Sequence, residues 1–282
     1  MFAIKSRNRT HIFDRPAVMG ILNLTPDSFS DGGRYNQMDK ALQHCELMIA
    51  DGADFIDIGG CSTRPNNAIA TEDEELERVI PILKAIRKAF PEALISIDTF
   101  RKNVAEACIN EGADLINDIS GGLFDAEMLP YIGQNHIPYV MMHCVGTPET
   151  MHQYALDGDI HQTVMDFFAQ QCKTLEAYGE QQIILDPGIG FGKSLEANYK
   201  LLSDMNRYRY NNLPILIGIS RKSLVFKVLG TTPQAAENGT TVLNTIAILN
   251  GADILRVHDV KNAKEAIKLV GTFCNFAANF KP

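Results

Sequence analysis

One short phrase returns three times in this chain, and it limits the fold more than any other feature. Asp51-Gly-Ala-Asp-Phe-Ile-Asp-Ile-Gly-Gly60 is echoed by Glu111-Gly-Ala-Asp-Leu-Ile-Asn-Asp118 and by Asn250-Gly-Ala-Asp-Ile-Leu-Arg-Val-His258. The glycine suits the left-handed residue that ends a helix. A short apolar run with strand character follows, and polar residues stand at its far end. Each copy therefore reads as one turn of an αβ repeat that delivers polar groups to a common rim.

Short apolar runs fit eight strands at Val18–Leu22, Phe55–Ile58, Leu94–Ile97, Leu115–Ile116, Ile137–Met141, Ile183–Leu185, Ile215–Ile217 and Ile254–Val257. Helical periodicity lies between them. Met38, Ala41, Leu42, Cys45, Met48 and Ile49 make one apolar face, and Thr71 with Glu74 makes a capping box before a stripe that carries Pro81 as an expected kink. Further stripes run over Ile160–Leu175 and Ala263–Val270, and an extra helix is expected around Pro233–Leu249. With no Pro/Ser-rich linker dividing the 282 residues, residues 1–282 read as one (β/α)8 barrel of the α/β class, with a doubly wound sheet as the lesser alternative. The segment before Val18 is expected to cover the barrel floor.

The net charge of −8 argues against nucleic acid or an anionic membrane as the main partner, while leaving room for a small anionic substrate. No apolar run approaches the ~18 residues of a membrane span. The six cysteines form no C-x-x-C pair and read as reduced thiols of a cytoplasmic protein.

In a barrel of this kind the chemistry sits at the C-terminal strand ends. Those ends carry Asn23; Asp57 with Gly59-Gly60-Cys61-Ser62-Thr63-Arg64-Pro65; Asp98; Asn117-Asp118; His143; Asp186; Ser220-Arg221-Lys222; and Arg256 with His258. Any one aspartate has helix capping as its plainer explanation. The set does not. Asp98, Asn117 and Asp186 suit the flat donor edge of a heterocycle, and Asn23, Thr63, Arg64, Arg256 and His258 can gather around an anion such as phosphate. Two other motifs fail. Pro187-Gly-Ile-Gly-Phe-Gly-Lys-Ser194 lacks the first glycine of a phosphate-binding P-loop and the third of a dinucleotide fingerprint. The histidines include no H-x-H pair, so a zinc hydrolase is poorly supported.

The segments MGILNLTPDSFSDGG, DIGGCSTRP, ISIDT, INDISGG, MMHCVGTP, ILDPGIGFGK, GISRKS and RVHDV occur in the order seen in dihydropteroate synthases, and the chain resembles that family from Val18 to Val270. The resemblance implies condensation of 6-hydroxymethyl-7,8-dihydropterin diphosphate with 4-aminobenzoate, with release of pyrophosphate. It implies catalytic roles for Asp98, Asp186 and Lys222, and a pterin site of Asp98, Asn117, Asp186, Lys222 and Arg256. Asn23, Thr63, Arg64, Arg256 and His258 would hold the diphosphate, with Mg2+ bridging it to Asn23. Phe29, Thr63, Pro65, Phe191, Ser220 and Lys222 would surround 4-aminobenzoate, where sulfonamides compete. The loops Thr25–Gly33 and Cys61–Asn67 are expected to close over the reacting centre.

The chain departs from the family pattern where Cys61 replaces a glutamate and Cys144-Val145 replaces Met-Gln. The family also implies a homodimer, for which Val242–Leu249 is a candidate surface. The rival reading is a pterin- or methyl-folate-binding module of a corrinoid methyltransferase system. It would need neither the anion group nor the aminobenzoate loop.

Overall fold

The computed structural model describes residues 1–24, 34–62, 69–147, 150 and 153–279. The chain opens with an antiparallel hairpin, β1 (Phe2–Ser6) and β2 (Arg9–Phe13), turned by Arg7 and Asn8 at φ 46° and 61°. Strands and helices then alternate: β3 (Ala17–Asn23), α1 (Arg34–Ala50), β4 (Phe55–Gly59), α2 (Glu72–Ala89), β5 (Leu94–Asp98), α3 (Lys102–Asn110), β6 (Leu115–Asp118), α4 (Met128–Asn135) and β7 (Tyr139–Met142). The second half runs α5 (Ile160–Glu176), β8 (Ile183–Asp186), α6 (Leu195–Ser203), β9 (Leu216–Ile217), α7 (Ser223–Phe226), α8 (Glu237–Leu249), β10 (Ile254–Val257) and α9 (Val260–Asn279).

The eight strands from β3 onward are parallel, in the order β8-β7-β6-β5-β4-β3-β10-β9. A parallel bridge between Leu185 and Ile215 brings the two ends of that sheet together, as a barrel requires. Helix α2 begins on the expected capping box, Thr71 with Glu74, and continues through Pro81 to Ala89. Pro81 faces solvent, where water can satisfy the carbonyl left without its helical partner. Helix α8 starts at Glu237, four residues after the expected Pro233, and the short α7 precedes it.

The repeated phrase acquires a reason that spacing alone did not give. Gly52, Gly112 and Gly251 lie at φ 96°, 95° and 99°, a region that residues with a Cβ resist. Two residues on, each copy's aspartate reaches the neighbouring strand. Asp54 accepts from the Val18 N–H at 2.7 Å, Asp114 from Ile95 at 2.9 Å and Asp253 from Ile215 at 2.9 Å. A cation backs each one: Lys264 for Asp54, Arg7 and Arg87 for Asp114, and Arg209 for Asp253. Gly-Ala-Asp thus ends a helix, opens a strand and pins the strand beside it.

Strand alternation then sorts the interior into layers. Val18, Ile56, Ile95, Ile116 and Leu255 face outward and pack in the cluster formed with the helices. Inward, Met19, Phe55, Leu94, Leu115, Val140 and Ile184 make an apolar floor, and Ile4 of the hairpin joins it at 3% exposure. The N-terminal hairpin therefore closes that end of the barrel, as expected. Two residues further along, the same inward face carries Asp57, Ser96, Asn117, Met142, Asp186 and Arg256. One parity gives an oily base and a charged mouth.

Candidate active site

Arg256 organises the mouth. From β10 it reaches past β3 to two carboxylates: Nε donates to Asp57 Oδ2 and Nη2 to Asp98 Oδ2, both at 2.6 Å. Asn117 Nδ2 donates to the same Asp57 oxygen at 3.1 Å. Gly59 leaves a gap between neighbours. A Cβ built there would stand 3.5 Å from Asp98 Cβ and 3.6 Å from Asn23 Oδ1, so Asn23 and Asp98 flank one opening.

The opposite wall comes from the loops after β8 and β9. Asp186 Oδ1 accepts from the Gly188 N–H at 2.7 Å. Gly188 sits at φ 68°, and an added Cβ would collide with the His143 carbonyl oxygen, so a side chain there cannot be housed without moving backbone. Lys193 Nζ donates to the carbonyls of His143 (3.1 Å), Gly188 (2.9 Å) and Phe191 (3.0 Å), and so stitches the loops after β7 and β8 together. Lys222 Nζ donates to the Ile189 carbonyl and stands 4.3 Å from the centre of the Phe191 ring. A Cβ on Gly218 would be 3.7 Å from Lys222 Nζ and 3.9 Å from Arg256 Cβ, which places both cations around one glycine. Ser220 Oγ accepts from the His258 N–H at 3.2 Å and lies 2.9 Å from His258 Nδ1. Arg221 turns away to Asp259 at 2.7 Å, from a backbone at φ 58°. Ile119, Met142 and Cys144 form an apolar side of the rim, with Phe100, Phe124 and Phe191 against them.

The protonation balance follows from burial. Burial pushes Asp98 up to about 7; Arg256 opposes the shift and Asp57 adds to it. Asp186 is also raised by burial, with Lys222 and the Gly188 N–H in opposition. Burial takes Lys222 down to about 8 against the pull of Asp186, and takes Lys193 down to about 7. His143 falls to about 3, through burial first and Lys193 second, so it is neutral at physiological pH. Burial alone would lower Arg256, but Asp57 and Asp98 outweigh it and the guanidinium stays charged.

Asn23, Asp98, Asn117, Asp186, Phe191, Ser220, Lys222, Arg256 and His258, all singled out in the sequence, thus stand around one barrel mouth. Phe29, Thr63, Arg64 and Pro65, with the loop Thr25–Gly33 and most of Cys61–Asn67, lie outside the described residues. Asp57 was noted at its strand end without a binding or catalytic role, and Lys193 only within the rejected P-loop match. The alternation of β4, in which Asp57 stands between Phe55 and Gly59, carried the signal for the first.

The model of the pterin binding enzymes matches residues 19–258. The chain is 42% identical to the dihydropteroate synthase of Escherichia coli K12 over 257 residues, 90% of each protein. It is 44% identical to that of Synechocystis over 258 residues, 90% of this chain and 89% of the relative. The chain belongs to the dihydropteroate synthase family. Among solved members of the family, a Yersinia pestis synthase in complex with a sulfonamide drug superposes with a TM-score of 0.89 at 39% identity, over 97% of this chain and 99% of the other. A Xanthomonas albilineans synthase with 4-aminobenzoic acid gives 0.87 at 32% identity, over 96% and 98%. The methyltransferase alternative is not favoured, because these relatives are synthases along nearly their whole length.

Proposed function

We propose that this protein joins 6-hydroxymethyl-7,8-dihydropterin diphosphate to 4-aminobenzoate, giving 7,8-dihydropteroate and pyrophosphate. The observation that carries the reading is the charge layout of the mouth. The acceptors Asp98, Asn117 and Asp186 share one opening with the cations Arg256 and Lys222, Arg256 bonded to Asp98 on one wall and Lys222 beside Asp186 on the other, with His258 against Ser220. A pterin presents an amino group and ring N–H donors along one flat edge, which carboxylates receive as they would a guanidinium. The diphosphate then falls toward Arg256 and His258, and Phe191 with Lys222 and Ser220 borders the place left for the aminobenzoate ring.

In the reaction the methylene C–O bond breaks and its electron pair leaves with the diphosphate. The arylamine nitrogen forms the new C–N bond and gives up a proton. Positive charge spreads into the pterin ring as the leaving group departs, and Asp98 and Asp186 stabilise it from fixed positions. An arylamine needs no strong base, so a buried, neutral His143 does not impede this chemistry.

The donor set also suits Mg2+, which takes one or two protein oxygens and completes its shell with phosphate oxygens and water. The Asn23 amide oxygen at the end of β3 is such a ligand. Among the described residues no three His, Cys, Asp or Glu side chains could hold a metal by themselves, so the diphosphate would supply the remaining oxygens. When bound there, Mg2+ would neutralise charge on the departing pyrophosphate.

Two finer features belong to the same reading. Val242, Ile246 and Leu249 on α8, with Leu269 and Phe273 on the neighbouring α9, leave an apolar face in solvent that a second copy would cover to give a homodimer. Cys45, Cys108, Cys144 and Cys172 are buried, unpaired thiols, which suits the reducing cytoplasm. Among the described residues no helix is long and apolar enough to cross a membrane. Mass spectrometry of a mixture of protein, Mg2+ and both substrates is expected to find dihydropteroate. Recovery of unchanged substrates would reject the assignment.

A further inference from the structure

Asp57 has no exposed surface, yet it holds the mouth's central cation as closely as Asp98 does, at 2.6 Å. Strand register explains how it can do this without meeting a ligand. Gly59, Asp98 and Asn117 are register partners on adjacent strands and form the layer open to the mouth. Asp57 pairs with Ser96 in the layer beneath. Its Oδ2 is held by two donors, Arg256 Nε and Asn117 Nδ2, while Oδ1 is buried with no hydrogen-bond partner among the described residues. A buried carboxylate with one idle oxygen is a costly thing to keep, unless the position of the other oxygen matters.

The two bonds of Arg256 are unequal in reach. Asp98 has 21% of its side chain exposed and stands where a heterocycle's donor edge would dock; Asp57 has none exposed. The Nη2 group thus engages Asp98 Oδ2, one of the two oxygens that a planar N–H donor edge from outside would use. The Nε bond lies below it, out of reach. An incoming donor edge can displace the first bond and cannot touch the second.

We propose that Asp57 is the positioning residue of Arg256: it keeps Nε tethered through the reaction cycle while the Nη end exchanges Asp98 for the bound substrate. This rests on the synthase reading above. Arg256 then acts as a placeholder in the free protein, neutralising Asp98 until the pterin arrives. The tether limits its movement to a swing about a fixed nitrogen, so the guanidinium stays beside the ring and the departing diphosphate. Orientation lost at such a group is expected to cost on the order of 10²-fold in turnover, as misplacement of about 1 Å does elsewhere.

The test is a double-mutant cycle with wild-type activity as its control. Asp57→Asn keeps the shape, lets Asn117 keep an acceptor, and removes the charge that holds Nε. It is expected to lower kcat about 10²-fold in the Arg256 protein and to change it less than about 10-fold in the Arg256→Gln protein, where nothing is left to position. Equal losses in both backgrounds, or no loss in the first, would overturn the tether. Because Asp57→Asn can also weaken folding, the wild-type protein gives an independent reading. The 15N signal of Arg256 Nε–H should remain protected from exchange when pterin diphosphate binds, while the Nη signals shift. Loss of Nε protection on binding would overturn the proposal even if no variant folds. A wild-type protein that forms no dihydropteroate would instead reject the synthase reading itself.

Discussion

Asp186→Asn isolates the pterin-binding part of the account. The carboxylate keeps one oxygen on the Gly188 N–H at 2.7 Å, a bond the asparagine carbonyl can reproduce. The second oxygen becomes an NH2 group and turns a donor toward the ligand's own donor edge. A charge-assisted hydrogen bond contributes about 1.5–3 kcal/mol net, and the mismatch leaves a buried donor unsatisfied, so the loss is about 2–4 kcal/mol. That corresponds to pterin diphosphate binding roughly 30- to 700-fold more weakly. The fold should survive, because burial already disfavours the ionised carboxyl here and a neutral amide carries no such penalty. Titration calorimetry measures the affinity, with a thermal melt as the folding control. Lys222 gives a second signal: without Asp186 its value should drop below about 8 and bring the alkaline limb of the activity profile down with it. Pterin affinity within threefold of wild type, in a folded variant, would refute the placement of the heterocycle.

Four further outcomes follow from the same geometry. The profile of kcat/KM is expected to be bell-shaped, rising as Asp98 ionises near about 7 and falling as Lys222 loses its proton near about 8; a flat profile across that span contradicts both assignments. Lys193 sits at about 7 against 10.5 in the unfolded chain, so the unfolded state holds the extra proton between those values and stability contributed by this group rises with pH across that window. Lys193→Met should flatten that rise in a series of thermal melts, and should cut activity by freeing the Phe191 loop from its three carbonyl bonds; an unchanged slope would remove Lys193 from the account. Gly188→Ala forces a Cβ against the His143 carbonyl, and loss of most activity together with a lower Tm is expected, whereas near-normal kcat would mean the two loops can separate freely. Leu249→Glu with Leu269→Glu should convert a dimer to monomers in sedimentation velocity, and a persistent dimer would place the interface elsewhere.

The barrel was legible because its signals are local and repeated. Apolar runs of strand length, helical stripes and the Gly-Ala-Asp phrase each say the same thing at short range. The site was legible for a related reason: Asn23, Asp98, Asn117, Asp186 and Arg256 all stand at the ends of such runs, where a barrel assembles its chemistry. What stayed hidden depends on distance along the chain. Arg256 and Asp57 are 199 positions apart, and nothing in either neighbourhood names the other. The role of the aspartate in the repeated phrase was hidden in the same way, since Asp114 meets Ile95 and Arg7 only after the barrel closes. The N-terminal hairpin carried weak turn chemistry. Arg7 and Asn8 adopt positive φ without the glycine that usually announces such a turn, so the segment was recognisable as a cover for the floor and not as two strands. The Cys61 departure also gains a setting. Its thiol is raised by burial and then by Glu75, which sits buried against Arg101 at the start of α3. A second carboxylate at position 61 would have had to share that one guanidinium.

On the synthase reading, one mouth brings a pterin carrying its leaving group together with an arylamine. Its most direct test is the release of pyrophosphate from pterin diphosphate, followed continuously with and without 4-aminobenzoate. Turnover is expected to depend on the amine, with one dihydropteroate formed for each pyrophosphate released. Pterin binding with no amine-dependent release of pyrophosphate would contradict it.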